Sequence, residues 1–214
     1  MKIKVLFFNP IRERCHILYD ETGKCAIVDP GMMNDNECGR LEKFIAENSL
    51  EPVLVLLTHG HFDHVAGCGF VLSKWNIPVY MNDLDRPVVE SAEKACASMG
   101  IAGVVIKIPD TINIGGGDIV SFGNSSLSVM DSPGHTPGGV CFYSVKEKIL
   151  FSGDSLFAGS IGRTDFPGGN YDDLMRSLGT VLASVDRDSA VYPGHGPETT
   201  VSEELNTNPF LNYM

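Results

Sequence analysis

Five of the six histidines fall in three short segments: Thr58-His59-Gly60-His61-Phe62-Asp63-His64, Ser132-Pro133-Gly134-His135 and Tyr192-Pro193-Gly194-His195. A fourth segment, Phe151-Ser152-Gly153-Asp154, has the same layout with an aspartate. Each follows an apolar run and sets a glycine just before an imidazole or a carboxylate. Glycine lets the backbone turn sharply and come close to a ligand. His59 and His61 are two apart, so on an extended chain they point the same way and can share one metal ion. Asp63 and His64 lie where the chain turns into a helix, so they point elsewhere and suit a second ion. Imidazole and carboxylate without thiolate favour zinc, with iron or manganese also compatible. His59, His61, Asp63, His64, His135, Asp154 and His195 are too many for one tetrahedral ion and enough for two that share Asp154. Taken singly, each is ordinarily a turn residue or a satisfied polar group, and Asp63 also suits a helix N-cap. The recurrence at strand–glycine junctions is what points to metal. His16 is in no such setting and reads as structural.

These segments need strands to carry them. Ile3–Phe8, Cys15–Asp20 and Lys24–Val28 read as strands, with Glu21-Thr22-Gly23 as a hairpin turn. Glu37–Glu47 shows helical periodicity, and Val53–Leu57 is an apolar run suited to a strand buried on both faces. Asp63–Trp75 reads as a helix, Val79–Met81 as a strand and Arg86–Ser98 as a helix. Further strands are expected at Ile119–Phe122, Ser126–Met130, Val140–Ser144, Ile149–Ser152 and Ala190–Tyr192, with a helix at Asp172–Ser184. The simplest packing of such elements is two sheets face to face with helices outside.

Composition narrows the function classes. The 214 residues fit one domain over 1–214, and 43% hydrophobic residues allow a real core. The net charge of −11 repels phosphate backbones, so neither nucleic acid nor an anionic membrane is an expected partner. The six cysteines form no CxxC pair, and a chain of this length needs no disulfide framework. The start, MKIKVLFFNP, is too short in apolar residues for a signal peptide, and no segment reaches a membrane span. The expectation is a soluble cytoplasmic protein with reduced thiols.

The segment THGHFDH resembles the H-x-H-x-D-H signature of the metallo-β-lactamase superfamily, and His135, Asp154 and His195 match its later ligand positions in order. The resemblance implies an α/β fold, an αββα sandwich of two mixed sheets with helices on the outer faces. It implies that His59, His61 and His135 hold one ion, that Asp63, His64 and His195 hold another, and that Asp154 bridges them. Aspartate rather than cysteine at position 154 argues against antibiotic hydrolysis. Gly153–Gly169 and the terminal Thr207–Leu211 look like the short glyoxalase II-like hydrolases.

That likeness implies a zinc-dependent hydrolase of an acyl thioester such as a hydroxyacyl-glutathione, with two Zn2+ per chain. A hydroxide bridging both ions attacks the acyl carbon, with Asp63 and Asp154 as the catalytic carboxylates. Arg163, Asp165 and Tyr143 are the expected substrate contacts. The family's glutathione-binding helical domain is not matched, and Arg163 and Asp165 fall where its Lys and Tyr would stand. Arg163 then either clamps an anionic part of the substrate or pairs with Asp165. The segment Gly162–Phe166 is also shared with persulfide dioxygenases, which use one iron held by matches to His59, His135 and Asp154. A degenerate binding module is the non-enzymatic reading, and the filled ligand positions count against it. Neither the acyl substrate nor the oligomeric state is legible.

Overall fold

The structure, a computed structural model, describes residues 1–101, 103–108 and 110–211. The chain divides into two compact units. One comprises Met1–Asn113 and Ser121–Ser125, and the other Ile114–Val120 and the residues from Ser126 on.

The first unit carries a six-stranded mixed sheet in the order β1-β2-β3-β4-β5-β6. Its strands are β1 (Lys2–Phe8), β2 (Glu13–Tyr19), β3 (Lys24–Val28), β4 (Glu51–Leu56), β5 (Val79–Met81) and β6 (Thr111–Asn113). The first three form an antiparallel meander and the rest continue in parallel. Helix α1 (Asp35–Glu47), capped by Asn34, lays Leu41 and Ile45 into the core with Ile27, Val55 and Val79. Four short helices follow: α2 (Phe62–Val65), α3 (Cys68–Trp75), α4 (Arg86–Glu90) and α5 (Ala92–Ser98).

The helix expected over Asp63–Trp75 is therefore two. The break has a local cause: the Gly67 N–H leaves the helix ladder and donates to the Pro30 carbonyl at 2.7 Å. A Cβ on Gly67 would stand 2.6 Å from that same oxygen, so only glycine fits. Arg86–Ser98 is likewise divided at Ser91.

The second sheet has the order β14-β13-β10-β9-β8-β7. Its strands are β7 (Ile119–Phe122), β8 (Ser125–Asp131), β9 (Val140–Ser144), β10 (Ile149–Gly153), β13 (Ala190–Pro193) and β14 (Thr199–Thr200). A small hairpin, β11 (Leu156–Phe157) with β12 (Ser160–Ile161), stands outside it. Helix α6 (Tyr171–Ser184) packs Leu174, Leu178, Val181 and Leu182 with Leu150 and Val191, and α7 (Val201–Thr207) adds Val201. The short elements β6, β11, β12, β14 and α7 carry too few residues for a periodic signal and were not expected from the sequence.

Direction in this sheet matters for function. β8 is antiparallel to β9, β9 is antiparallel to β10, and β10 is parallel to β13. So β8, β10 and β13 run the same way and end at one edge. Those are the strands that lead into His135, Asp154 and His195.

Among the described residues no helix is long and apolar enough to cross a membrane. All six cysteines are free, and burial pushes the thiols of Cys15, Cys25, Cys68 and Cys141 up.

Asp20 ties the β2–β3 turn to the β7–β8 turn. Its carboxylate accepts from the Thr22 N–H and hydroxyl, the Asn124 N–H at 2.7 Å and the Ser125 hydroxyl at 2.9 Å. Burial alone would raise its pKa, but these hydrogen bonds outweigh it and hold the group at about 2. A depressed carboxylate stabilises the fold fully above its ordinary pH of 3.8, and that stabilisation is lost as pH falls through about 2. Asp20→Asn should cost about 1–2 kcal/mol at neutral pH, and its stability gap from the parent should narrow between pH 4 and pH 2. Denaturant melts across that range check this; a gap independent of pH refutes it.

Candidate metal centre

In the first unit the donors follow β4. His59 comes three residues after the strand ends, His61 is the N-cap residue of α2, and Asp63 and His64 lie within its single turn. Asp63 is thus inside the helix and does not cap it. His59, Asp63 and His64 are 3%, 5% and 0% exposed, unusual for ionisable residues without partners of matching chemistry. The His59 ring centroid is 4.8 Å from that of His61 and 4.1 Å from that of His64. His64 Nε2 and Asp63 Oδ2 are 3.3 Å apart.

In the second unit, the Gly194 N–H donates to the Gly153 carbonyl at 2.8 Å, pinning the ends of β10 and β13 together. Asp154 and His195 then stand side by side, with His195 Nε2 3.7 Å from Asp154 Oδ2. His135 Nε2 is 3.6 Å from the same oxygen.

These separations are the test of fit for a metal. At 3.3–3.7 Å they are longer than good hydrogen bonds. Two ligands each about 2.0–2.2 Å from one ion, at or somewhat above the tetrahedral angle, stand roughly 3.3–3.7 Å apart. The donor chemistry, imidazole and carboxylate, fits as well.

The outer hydrogen bonds select the tautomer of three imidazoles. The Asp29 carboxylate accepts from the Thr58 N–H at 2.8 Å and, through Oδ2, from the Thr58 hydroxyl at 2.7 Å. With that proton committed, Thr58 Oγ1 accepts from His59 Nδ1 at 3.0 Å. Asp29 Oδ2 also accepts from His64 Nδ1 at 3.0 Å. In the second unit His135 Nδ1 donates to the Arg163 carbonyl at 2.7 Å. Each of these rings carries its proton on Nδ1 and leaves an Nε2 lone pair for a cation.

The Arg163 carbonyl reaches His135 because of Gly162. A Cβ there would lie 1.8 Å from the Asp154 carbonyl and 3.1 Å from His135 Nδ1. Of the junction glycines, Gly134 and Gly153 do take left-handed φ, 132° and 50°, as the turn argument requires. His16, by contrast, is 2% exposed, and burial, then Arg14 and His64, push its pKa down to about 3.

The expected substrate contacts divide. Arg163 and Asp165 face each other in a bidentate pair at 2.8 and 2.7 Å, and the guanidinium stacks 3.7 Å from the Phe166 ring centroid. Both are exposed, at 53% and 67%. Tyr143 does not join them. It is buried on β9 opposite Leu150, near the start of β10, whereas Asp154 follows the end of β10. Its hydroxyl pairs with Ser189 at 3.1 Å and accepts the Asp186 N–H at 3.2 Å.

Asn9 and Asp29 carry roles that no motif announced. The Asn9 side-chain amide donates to the Asp63 carbonyl at 3.0 Å and the Gly31 carbonyl at 3.1 Å. Its backbone N–H donates to Glu37 at 2.8 Å. Asn9 thereby ties the β1–β2 turn to the backbone of α2.

The Metallo-beta-lactamase superfamily model matches residues 15–195. Hydroxyacylglutathione hydrolase GloC of Haemophilus influenzae is 34% identical over 99% of both chains. The solved BLEG-1 B3 metallo-beta-lactamase is 33% identical with a TM-score of 0.89, covering 98% of this chain and 99% of that one. TTHA1623, solved in a di-iron-bound form, is 35% identical with a TM-score of 0.87, covering 97% and 100%.

Asn9→Asp would turn a donor into an acceptor facing two carbonyl oxygens. At about 1–3 kcal/mol the melting temperature should fall by about 2–12 °C. Asn9→Gly should cost less than the aspartate, since φ there is 52° and glycine removes the clash of acceptors. Thermal melts of both variants check the order; equal losses refute the role of the amide.

Proposed function

The chain belongs to the metallo-β-lactamase superfamily, and on that premise we propose that it is a zinc hydrolase of acyl thioesters, a hydroxyacyl-glutathione being the substrate class. The observation that carries this is the end-to-end similarity to a hydroxyacylglutathione hydrolase, over 99% of both chains. In this reading the two units form one domain over 1–214, whose last three residues lie outside those described. His59, His61 and His135 hold one ion, Asp63, His64 and His195 the other, and Asp154 serves both. Six free thiols suit a reducing, cytoplasmic setting. The partner is a small molecule; a net charge of −11 disfavours nucleic acid and anionic membranes.

When bound, the ions supply a water pKa lowered from about 15.7 toward ~7 and polarisation of the acyl carbonyl. The chain's residues prepare for this. Asp29 and Thr58 keep the protons of His64 and His59 on Nδ1, so neither ring has to lose a proton from Nε2 to bind a cation. The Arg163 carbonyl does the same for His135. The Arg163 guanidinium is held by Asp165, so it reads an anionic substrate only by exchanging that carboxylate for the substrate's. An exposed pair of this kind is weak because solvent screens it, so the exchange meets a small barrier.

A relative solved with iron bound shows iron at a site of this fold, and iron opens a second reading, a mononuclear oxygenase acting on glutathione persulfide through His59, His135 and Asp154. Elemental analysis of protein purified without added metal separates the two: two zincs per chain support the hydrolase and one iron the oxygenase. A hydroxyacyl-glutathione and a chromogenic cephalosporin, assayed side by side, separate thioester from β-lactam hydrolysis. Asp154→Ala should empty both positions and lower kcat/KM by more than about 100-fold, whereas His195→Ala should mainly weaken one ion. Unchanged metal content in Asp154→Ala overturns the sharing of that carboxylate.

A further inference from the structure

β8 and β10 are not neighbours, because β9 lies between them. Two strand spacings separate them by roughly 9.6 Å. Yet the loops that leave them bring His135 Nε2 within 3.6 Å of Asp154 Oδ2. Something must draw these loops together over the start of β9 and hold them there.

The side chains between them are Ser132 and Ser155. Ser132 is three residues before His135, and Ser155 directly follows Asp154. They are 0% and 3% exposed, and the Ser132 hydroxyl donates to Ser155 Oγ at 2.7 Å. Below them lies Cys141 on β9, fully buried, whose thiol donates to the Ser152 carbonyl at 3.7 Å. Burial pushes this thiol up to about 11, and the two neighbouring serine side chains partly oppose that rise. Each loop is also fixed by its own backbone: Ser132 N–H to the Gly139 carbonyl at 2.7 Å, and Ser155 N–H to the Ser152 carbonyl at 3.0 Å. These two backbone bonds shape each loop separately, whereas the hydroxyl bond joins one to the other next to the ligands, alongside the His135 Nδ1–Arg163 carbonyl bond.

We propose that the buried Ser132–Ser155 hydrogen bond, seated on Cys141, is a positioning device that sets the His135–Asp154 spacing for a metal ion. The two serines act through the ligands and touch no substrate. The inference rests on the metal-centre reading above. Ligand distances tolerate only about 0.2 Å of error, so a bond joining the two ligand loops has leverage on affinity.

The test is a cobalt(II) titration of the metal-stripped full-length protein, following the visible d–d bands, for the parent, Ser132→Ala, Ser155→Ala and the double variant. Each single change should weaken cobalt binding roughly 10-fold or more and alter the band shape. Because both remove one shared bond, the double variant should bind within about threefold of the weaker single one. Ser132→Thr, which keeps the hydroxyl, should restore most of the affinity. Melting of the stripped proteins is measured alongside. Should Ser132→Ala fail to fold, Ser155→Ala reads the same bond from its other end. Parent-like affinity and spectra with a lower melting temperature would make the pair purely structural, and additive losses would deny the shared bond. Either result overturns this inference alone. A parent protein that takes up no cobalt overturns the metal-centre reading and this inference with it.

Discussion

A buried imidazole can serve a cation only if its proton is kept on the far nitrogen, and in the first unit one carboxylate does this for two rings. Asp29 accepts from His64 directly and controls His59 through the Thr58 hydroxyl. The residue itself sits at φ 51°, a left-handed conformation that aspartate, like asparagine, adopts more readily than most residues. Its hydrogen bonds hold that geometry, and its own N–H donates to the Leu56 carbonyl at 3.0 Å, anchoring it to β4. The parallel register Val28↔Leu56 is what brings Asp29 alongside Thr58. The pairing of β3 with β4 is therefore part of the site's chemistry as well as its scaffold.

The second unit solves the same problem with backbone. Three strands of like direction lead into His135, Asp154 and His195 at one edge, and the Arg163 carbonyl takes the place that Asp29 has in the first unit. A carbonyl costs no side chain, but it demands close approach of the chain, which is why a glycine precedes it. Carboxylate and carbonyl differ in consequence. The carboxylate adds negative charge near its imidazole and strengthens it as a donor to a cation, whereas the carbonyl supplies orientation with only a dipole.

The candidate donor segments stood out in the sequence because their signal is local: an apolar run, a glycine and a donor-type residue within a few positions. The two sheets were legible for the same reason, and the strands from Ile119 to Ser152 hold within a residue or two. What could not be read is what depends on register. Asp29-Pro30-Gly31 looks like an ordinary turn after a strand until β3 is paired with β4. Asn9 looks like the residue that ends β1 until the Asp63 carbonyl is placed above it. The helix break at Gly67 follows from the position of the Pro30 carbonyl, 37 residues earlier, and no periodicity within 63–75 contains it. Tyr143 shows the converse. A tyrosine near a motif invites a substrate role, but strand direction puts its hydroxyl against Ser189.

Arg163 shows how one residue can carry two roles that mutation separates. Its carbonyl holds His135 whatever side chain is present, since the bond belongs to the backbone. Its guanidinium is spent on Asp165, whose carboxyl it holds down at about 2, and on the face of Phe166. The arginine is therefore preorganised but already neutralised. Any anion that takes up this guanidinium must displace the Asp165 carboxylate from both of its hydrogen bonds. A change at residue 165 therefore acts on the same interaction as a change at residue 163, while neither touches the carbonyl that holds His135.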